Sequence, residues 1–287
     1  MTRTKASLLT LLIVFLLSGC ATTEVRKPVT FSLDHLPTDQ TILVTTKDQA
    51  LIQTLIPDFG EKSERLSLVI EPSSSAYPID LETSRIYGVL ETTYPKVAVN
   101  TALLWSSKTT KQGSDDLPFF RMKKSPLELY SPKNGKVLFS LGEYSLAYAL
   151  LSAPSGKILP ADIAPLMKES AIALYAENPQ TFFDLDLGLS EEVIRQSESI
   201  LLLFDEKEEN TYALHALITM EDEKKAKTLS QLVRSGYLAN LKKANKSYVL
   251  SELMKMFLLD GQVVTIKGIE IEKDDLFKIL STLDSFL

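Results

Sequence analysis

The side chains able to do nucleophilic or metal chemistry are few: two histidines, His35 and His215, and a single cysteine, Cys20, in 287 residues. Acyl-transfer hydrolysis needs a serine or cysteine beside a histidine that a third group orients. Neither GxSxG nor HExxH occurs, so both histidines read as structural. Asp184 and Asp186 are two apart, as are Glu270 and Glu272. Such pairs can do acid/base work or hold a hard cation, but the same spacing marks the solvated side of a strand. No Asp-x-Asp-x-Asp-Gly loop accompanies them, and the acidic run Asp205 to Glu209 reads as a solvated connection between two apolar strands. No catalytic residue, metal site or cofactor is expected, and the chain does not read as an enzyme.

Charge and cysteine usage narrow the classes further. Thirty-one basic residues against 37 acidic give a net charge of −6, and a pI near 5.2 leaves no overall basic field for a phosphate backbone. Nucleic acid is therefore not expected as a partner. One cysteine cannot close an intramolecular disulfide, so its position carries the information.

Arg3 and Lys5 precede an apolar run from Leu8 to Leu17, broken only by Thr10, which ends in Leu17-Ser18-Gly19-Cys20. A run this short falls below the roughly 20 residues that span a hydrocarbon core, and it reads as a signal peptide over residues 1–19. Leu17 to Cys20 resembles the bacterial lipobox. The resemblance implies cleavage between Gly19 and Cys20 and lipidation of Cys20 with a diacylglycerol and an N-acyl chain such as palmitate. Two or three chains anchor stably where one is marginal. Of the 287 residues, removing 19 leaves 268, with 29 basic against 37 acidic and a net charge near −8. Ala21 after the cysteine resembles the outer-membrane sorting signal of enteric bacteria, which implies an envelope protein facing the periplasm. Residues 20–33 read as a lipidated tether.

The remainder reads as a mixed α+β body of two pseudo-repeated β/α halves, with helices packed on mixed sheets in an α/β/α-like arrangement. The first half spans 34–153, a proline-rich linker 154–165, and the second half 166–287. Thr41 to Thr46 is strand-like and Asp48 a helix N-cap; Ser170 to Tyr175 is its counterpart, with Asn178-Pro179 starting a helix through Leu187. Leu66 to Ile70 pairs in pattern with Ile200 to Phe204, and Ile86 to Thr92 with Tyr212 to Thr219. Each of the last two feeds a helix, Val97 to Trp105 and about Asp222 to Leu241. Asn134-Gly135 to Gly142 and Asp260-Gly261 to Gly268 share their glycine spacing and read as tight turns before strands, not as phosphate loops.

Two helices carry more apolar surface than a one-sided contact uses, since a stripe of about 100° suffices for that. Tyr144 to Ala153 has no charge, and Leu146, Tyr148, Leu150 and Leu151 leave it apolar around most of its circumference. Tyr248 to Leu259 is apolar at Tyr248, Val249, Leu250, Leu253, Met254, Met256, Phe257, Leu258 and Leu259, with Ser251, Glu252 and Lys255 on one narrow face. Both are candidates for contact with membrane lipid or an apolar ligand, and methionine suits such adaptable contacts.

The lipobox, the length, the duplicated-looking body and these helices together resemble a treponemal outer-membrane-associated lipoprotein. The resemblance implies a body anchored in the outer membrane whose amphipathic helices insert in the bilayer. The expected function is that of a non-enzymatic lipoprotein that contacts lipid or holds an apolar ligand. The alternative is a structural or assembly lipoprotein docking another envelope protein.

Overall fold

Runs of β-branched and large apolar residues, punctuated by Asn-Gly, Asp-Gly and proline, dictate a strand-rich body. The computed structural model describes residues 35–56, 60–152, 156–184, 190–243, 245 and 247–280. Gly19, Cys20 and the rest of the leader and tether lie outside the described residues. The first part of the body runs β1 (His35–Leu36), β2 (Ile42–Thr46), α1 (Gln49–Leu55), β3 (Ser63–Glu71), β4 (Arg85–Thr92) and α2 (Lys96–Trp105). A meander follows, β5 (Thr109–Gly113), β6 (Pro118–Met122), β7 (Leu127–Lys133) and β8 (Lys136–Leu141), then α3 (Tyr144–Ser152). Next come β9 (Lys157–Ile158), α4 (Ile163–Glu169), β10 (Ile172–Glu177), α5 (Glu191–Arg195), β11 (Ser197–Glu208), β12 (Thr211–Met220) and α6 (Glu223–Lys243). The described chain closes with α7 (Leu250–Met256), β13 (Phe257–Asp260), β14 (Val263–Glu272) and α8 (Lys273–Leu280).

Twelve strands form one sheet in the order β13-β14-β12-β11-β10-β2-β3-β4-β8-β7-β6-β5, and β1 pairs with β9 separately. Every pairing is antiparallel, so the expectation of a mixed sheet is corrected to an antiparallel one in an α+β body. The two stretches expected as separate halves meet in this sheet, with Ile172 opposite Thr46 and Ala176 opposite Ile42.

Side-chain alternation divides the core into two layers. Ile42, Val44, Leu66, Leu68, Ile172, Leu174, Ile200 and Leu202 face one side, where Leu51 and Ile52 of α1, Leu103 of α2, Ile194 of α5, Leu229 of α6, Leu253 of α7 and Leu276 of α8 cover them. Leu43, Val69, Val89, Ala173, Tyr175 and Leu201 face the other, beneath Tyr144, Ala147 and Leu150 of α3 and Ile163 and Met167 of α4. Both layers draw on residues between Leu36 and Leu276, so a body starting at Ala21 carries them complete.

Three local expectations are corrected. Asn178-Pro179 starts no helix: Asn178 adopts φ 44°, outside the extended range of an N-cap, and its amide donates to the Glu198 carbonyl. The helix of that region begins at Glu191 instead, while Phe182 and Phe183 go into the core as an edge-to-face pair at 5.8 Å. Within the expected linker, Lys157–Ile158 pairs with His35–Leu36, and α4 starts at Ile163, which with Leu159 packs into the second layer. The helix expected over Tyr248 to Leu259 stops at Met256, because Phe257 to Asp260 pair with Val263 to Ile266 through the Asp260-Gly261 turn.

Asp48 ties the start of α1 to the distal strands. Its Oδ1 accepts the Leu51 amide at 2.9 Å, and its buried Oδ2 accepts the Tyr212 hydroxyl at 2.5 Å. Lys273 Nζ stands 3.8 Å from that carboxylate and 2.9 Å from Glu206. Burial first, then the bond to Asp48, raises the Tyr212 phenol above its ordinary pKa, so it stays a protonated donor. Asp48→Ala removes a cap and strands a buried hydroxyl, at a cost of about 2–4 kcal/mol, whereas Tyr212→Phe costs about 1 kcal/mol. Urea denaturation followed by circular dichroism measures both.

Candidate functional site

The sequence points to two helices, and the fold treats them differently. In α3, Tyr144, Ala147 and Leu150 are buried against β4 and β8, and Leu146 packs partly beside them. Tyr148 is the large apolar side chain that faces outward there; the side chain of Leu151 lies outside the described residues. α3 is held at its N-terminus by Glu128 of β7, a fully buried carboxylate. Glu128 Oε2 accepts the Tyr144 amide at 2.8 Å and the Ser140 hydroxyl at 3.3 Å, and its Oε1 takes the Arg121 guanidinium. An acceptor at a helix N-terminus satisfies an orphan amide and complements the helix dipole. The Tyr144 ring stacks on Phe119 at 5.4 Å, and its hydroxyl has no hydrogen-bond partner among the described residues.

Around α7 the apolar residues are split by the change from helix to strand. Leu253 and Phe257 are buried in the first layer and Met256 packs partly against it. Tyr248, Val249, Met254, Leu258 and Leu259 are exposed by 41% to 56%. The side chain of Leu250 lies outside the described residues. These are five exposed large apolar side chains within twelve residues, Tyr248, Val249 and Met254 at α7 and Leu258 and Leu259 on opposite faces of the edge strand β13.

A third apolar surface escaped the sequence reading. Helix α2 buries Val99 and Leu103, while Val97, Leu104 and Trp105 are exposed by 73%, 59% and 81%. After Lys96 this helix carries no charge, and that absence was the available signal. Between α5 and α6 lies a cavity of about 350 Å³, lined by Val193, Met220, Leu229 and Leu232 with Glu192, Asp222, Lys224 and Lys225.

The residues considered for catalysis are dispersed. His35 lies in the two-stranded sheet and His215 in the large one, where its Nε2 is 4.0 Å from Asp205. Glu270 pairs with Lys207, Glu272 ends β14, and Asp184 ends a described stretch, while Asp186 lies outside the described residues. Among the described residues no group of three or more His, Cys, Asp or Glu is placed to hold a metal ion, and no helix is long and apolar enough to cross a membrane.

Comparison with known proteins rests on this architecture, since no family model and no curated protein matches the chain. Crystal form I of TP0453 superposes with a TM-score of 0.60 at 12% identity, over 90% of this chain and 99% of that one. The chain shares the fold of TP0453, a treponemal protein. Crystal form III of TP0453 gives 0.58 at 12% identity over 89% and 100%, and form IV gives 0.54 at 13% over 87% and 97%. The similarity to TP0453 therefore spans nearly the whole body, and the treponemal-type resemblance read from the sequence is matched at the level of fold.

Two substitutions test how α3 is held. Glu128→Ala leaves the Tyr144 amide without its acceptor, while the half-exposed Arg121 regains water, and costs about 2–3 kcal/mol. Tyr144→Phe removes an unpartnered buried hydroxyl and is neutral or stabilising by about 1 kcal/mol. Both are read as midpoints of urea unfolding.

Proposed function

We propose that this chain is a non-enzymatic lipoprotein of the bacterial envelope, anchored through acylated Cys20 and contacting the bilayer with apolar side chains of its amphipathic helices. The observation that carries the reading is the exposure of Tyr248, Val249 and Met254 at α7 and of Leu258 and Leu259 on β13, five large apolar side chains in solvent within twelve residues. The lipobox-like Leu17 to Cys20 supports the anchor, and the apolar run before it supports export. Outer-membrane placement facing the periplasm follows Ala21, the residue after the anchor.

The same proposal includes an internal duplication. Outward from β2 the sheet reads β3-β4-β8-β7, and outward from β10 it reads β11-β12-β14-β13. The Asn134-Gly135 and Asp260-Gly261 turns join β7 to β8 and β13 to β14, with φ of 78° and 55° at the glycines. Matching order and matching turns support descent of both halves from one unit.

Two experiments test the function. Expressed in a bacterium that processes lipoproteins, the full chain takes up labelled palmitate and stays with the membrane fraction, while Cys20→Ala takes up none and becomes soluble. In flotation with phosphatidylcholine vesicles, the unacylated body from Ala21 associates, and Met254→Glu with Leu258→Glu weakens partitioning by at least about tenfold. A body that never floats but captures another envelope protein would replace this reading with that of an assembly lipoprotein.

A further inference from the structure

The acidic character of the chain is not evenly spread. Residues 96–136, covering α2 and the β5 to β8 meander, hold eight Lys or Arg against three Asp or Glu, leaving 23 against 34 elsewhere. A segment of net charge +5 thus sits in a chain whose remainder is −11. Of the three acids, Glu128 is buried and paired with the half-exposed Arg121, so only Asp115 and Asp116 face the basic groups from solvent.

The exposed lysines collect beyond the C-terminal end of α2, next to its apolar outer side. Val97, Thr101, Leu104 and Trp105 fall on one side of the helix by its 3.6-residue period. Lys96 begins the helix, its Nζ 6.0 Å from the Tyr130 ring centroid. Beyond the C-terminus, Lys123 Nζ donates to the Ser107 carbonyl at 2.7 Å and the Lys123 amide donates to the Lys108 carbonyl at 2.9 Å, bringing both lysines within a few residues of Trp105. The Thr109 hydroxyl donates to the Leu103 carbonyl, which fixes the side of β5 that faces the helix. Lys111, two residues on, shares that side. Asp115 and Asp116 lie past the opposite end of the hairpin, about 13 Å along the strands from Thr109. A tryptophan flanked by lysines has an apolar body for the acyl boundary and ammonium groups for the phosphates above it.

We propose that the α2 face and the lysines beyond its end form a docking surface for anionic lipid, with Val97, Leu104 and Trp105 entering the headgroup region and the exposed Lys108, Lys111, Lys123 and Lys124 meeting lipid phosphates. This rests on the bilayer reading above and adds to it a second surface and a lipid class. The surface lies at the β5 end of the sheet, whereas the α7 patch lies at the β13 end.

Trp105 is the only tryptophan of the chain, so its fluorescence reports on this surface alone. The unacylated body from Ala21 is titrated with vesicles of phosphatidylcholine and with vesicles doped with phosphatidylglycerol. The expected result is tighter binding to the doped vesicles, lost at high salt, with a blue shift of Trp105 emission and quenching by brominated lipid. Lys111→Gln, Lys123→Gln and Lys124→Gln together weaken that binding on the order of a hundredfold, about fivefold for each lysine. Equal binding to both vesicles with unchanged Trp105 emission overturns the proposal while leaving the bilayer reading intact. Absence of binding to either vesicle overturns both. A blue shift that depends on protein concentration without vesicles makes this face a contact between copies and overturns the lipid assignment.

Discussion

The pairing of β2 with β10 is the interaction on which the rest of the molecule depends. Five residues of each strand are in register, and the Lys47 amide and Thr46 hydroxyl extend the contact to the Ala171 carbonyl at 2.9 and 3.1 Å. Without this seam the strands would fall into two sheets, each exposing a long central edge. With it, the middle of the sheet is buried on both faces, so helices must cover both. That is why α3 and α4 are placed on the side opposite the other helices. Arg65 fixes α4 there by donating to its last carbonyls, including that of Lys168 at 2.5 Å. Away from the seam one-sided cover suffices, and β12 alternates strictly between buried and half-buried residues.

The strands near this seam were legible because both are uncharged runs of apolar and β-branched residues. TILVTT and SAIALY could only be interior strands, and Asp48 was legible as a cap because its side chain precedes an apolar run. The seam itself was not legible, since strand partners are chosen by the whole fold and not by a local pattern. Tyr248 to Leu259 was misread for a related reason. Its apolar density suits a helix, but the Asp260-Gly261 turn recruits Phe257 to Asp260 into a hairpin, and pairing with β14 outweighs helical propensity. The opposite failure occurred at Asn178-Pro179, where a familiar helix start lies in a left-handed turn leaving β10.

The candidate surfaces were partly legible for the same physical causes. Apolar excess in α3 is absorbed by the second layer, since the sheet centre needs cover on that side and Glu128 holds the helix start in place. Apolar excess around α7 is only half absorbed, because among the described residues β13 is the edge strand of the sheet. Helix α2 escaped notice because Lys96 and Asn100 interrupt its apolar run, and only the fold shows that Trp105 and Leu104 are exposed while Lys108 and Lys123 meet just beyond its end. Chemistry by histidine or paired carboxylates drew attention in the sequence, yet His35, His215 and the Glu270 and Glu272 pair lie on three different strands.

The account makes the sheet a rigid platform that presents its helices to lipid without coming apart. Hydrogen exchange of the unacylated body, free and bound to anionic vesicles, tests this most directly. The account predicts that amides of β2, β10 and α3 keep their slow exchange on binding, while new protection appears around α7 and in α2 and the start of β5. Loss of protection in α3 or across the β2–β10 seam on binding would contradict it, because the body would then be opening at its centre to meet the membrane.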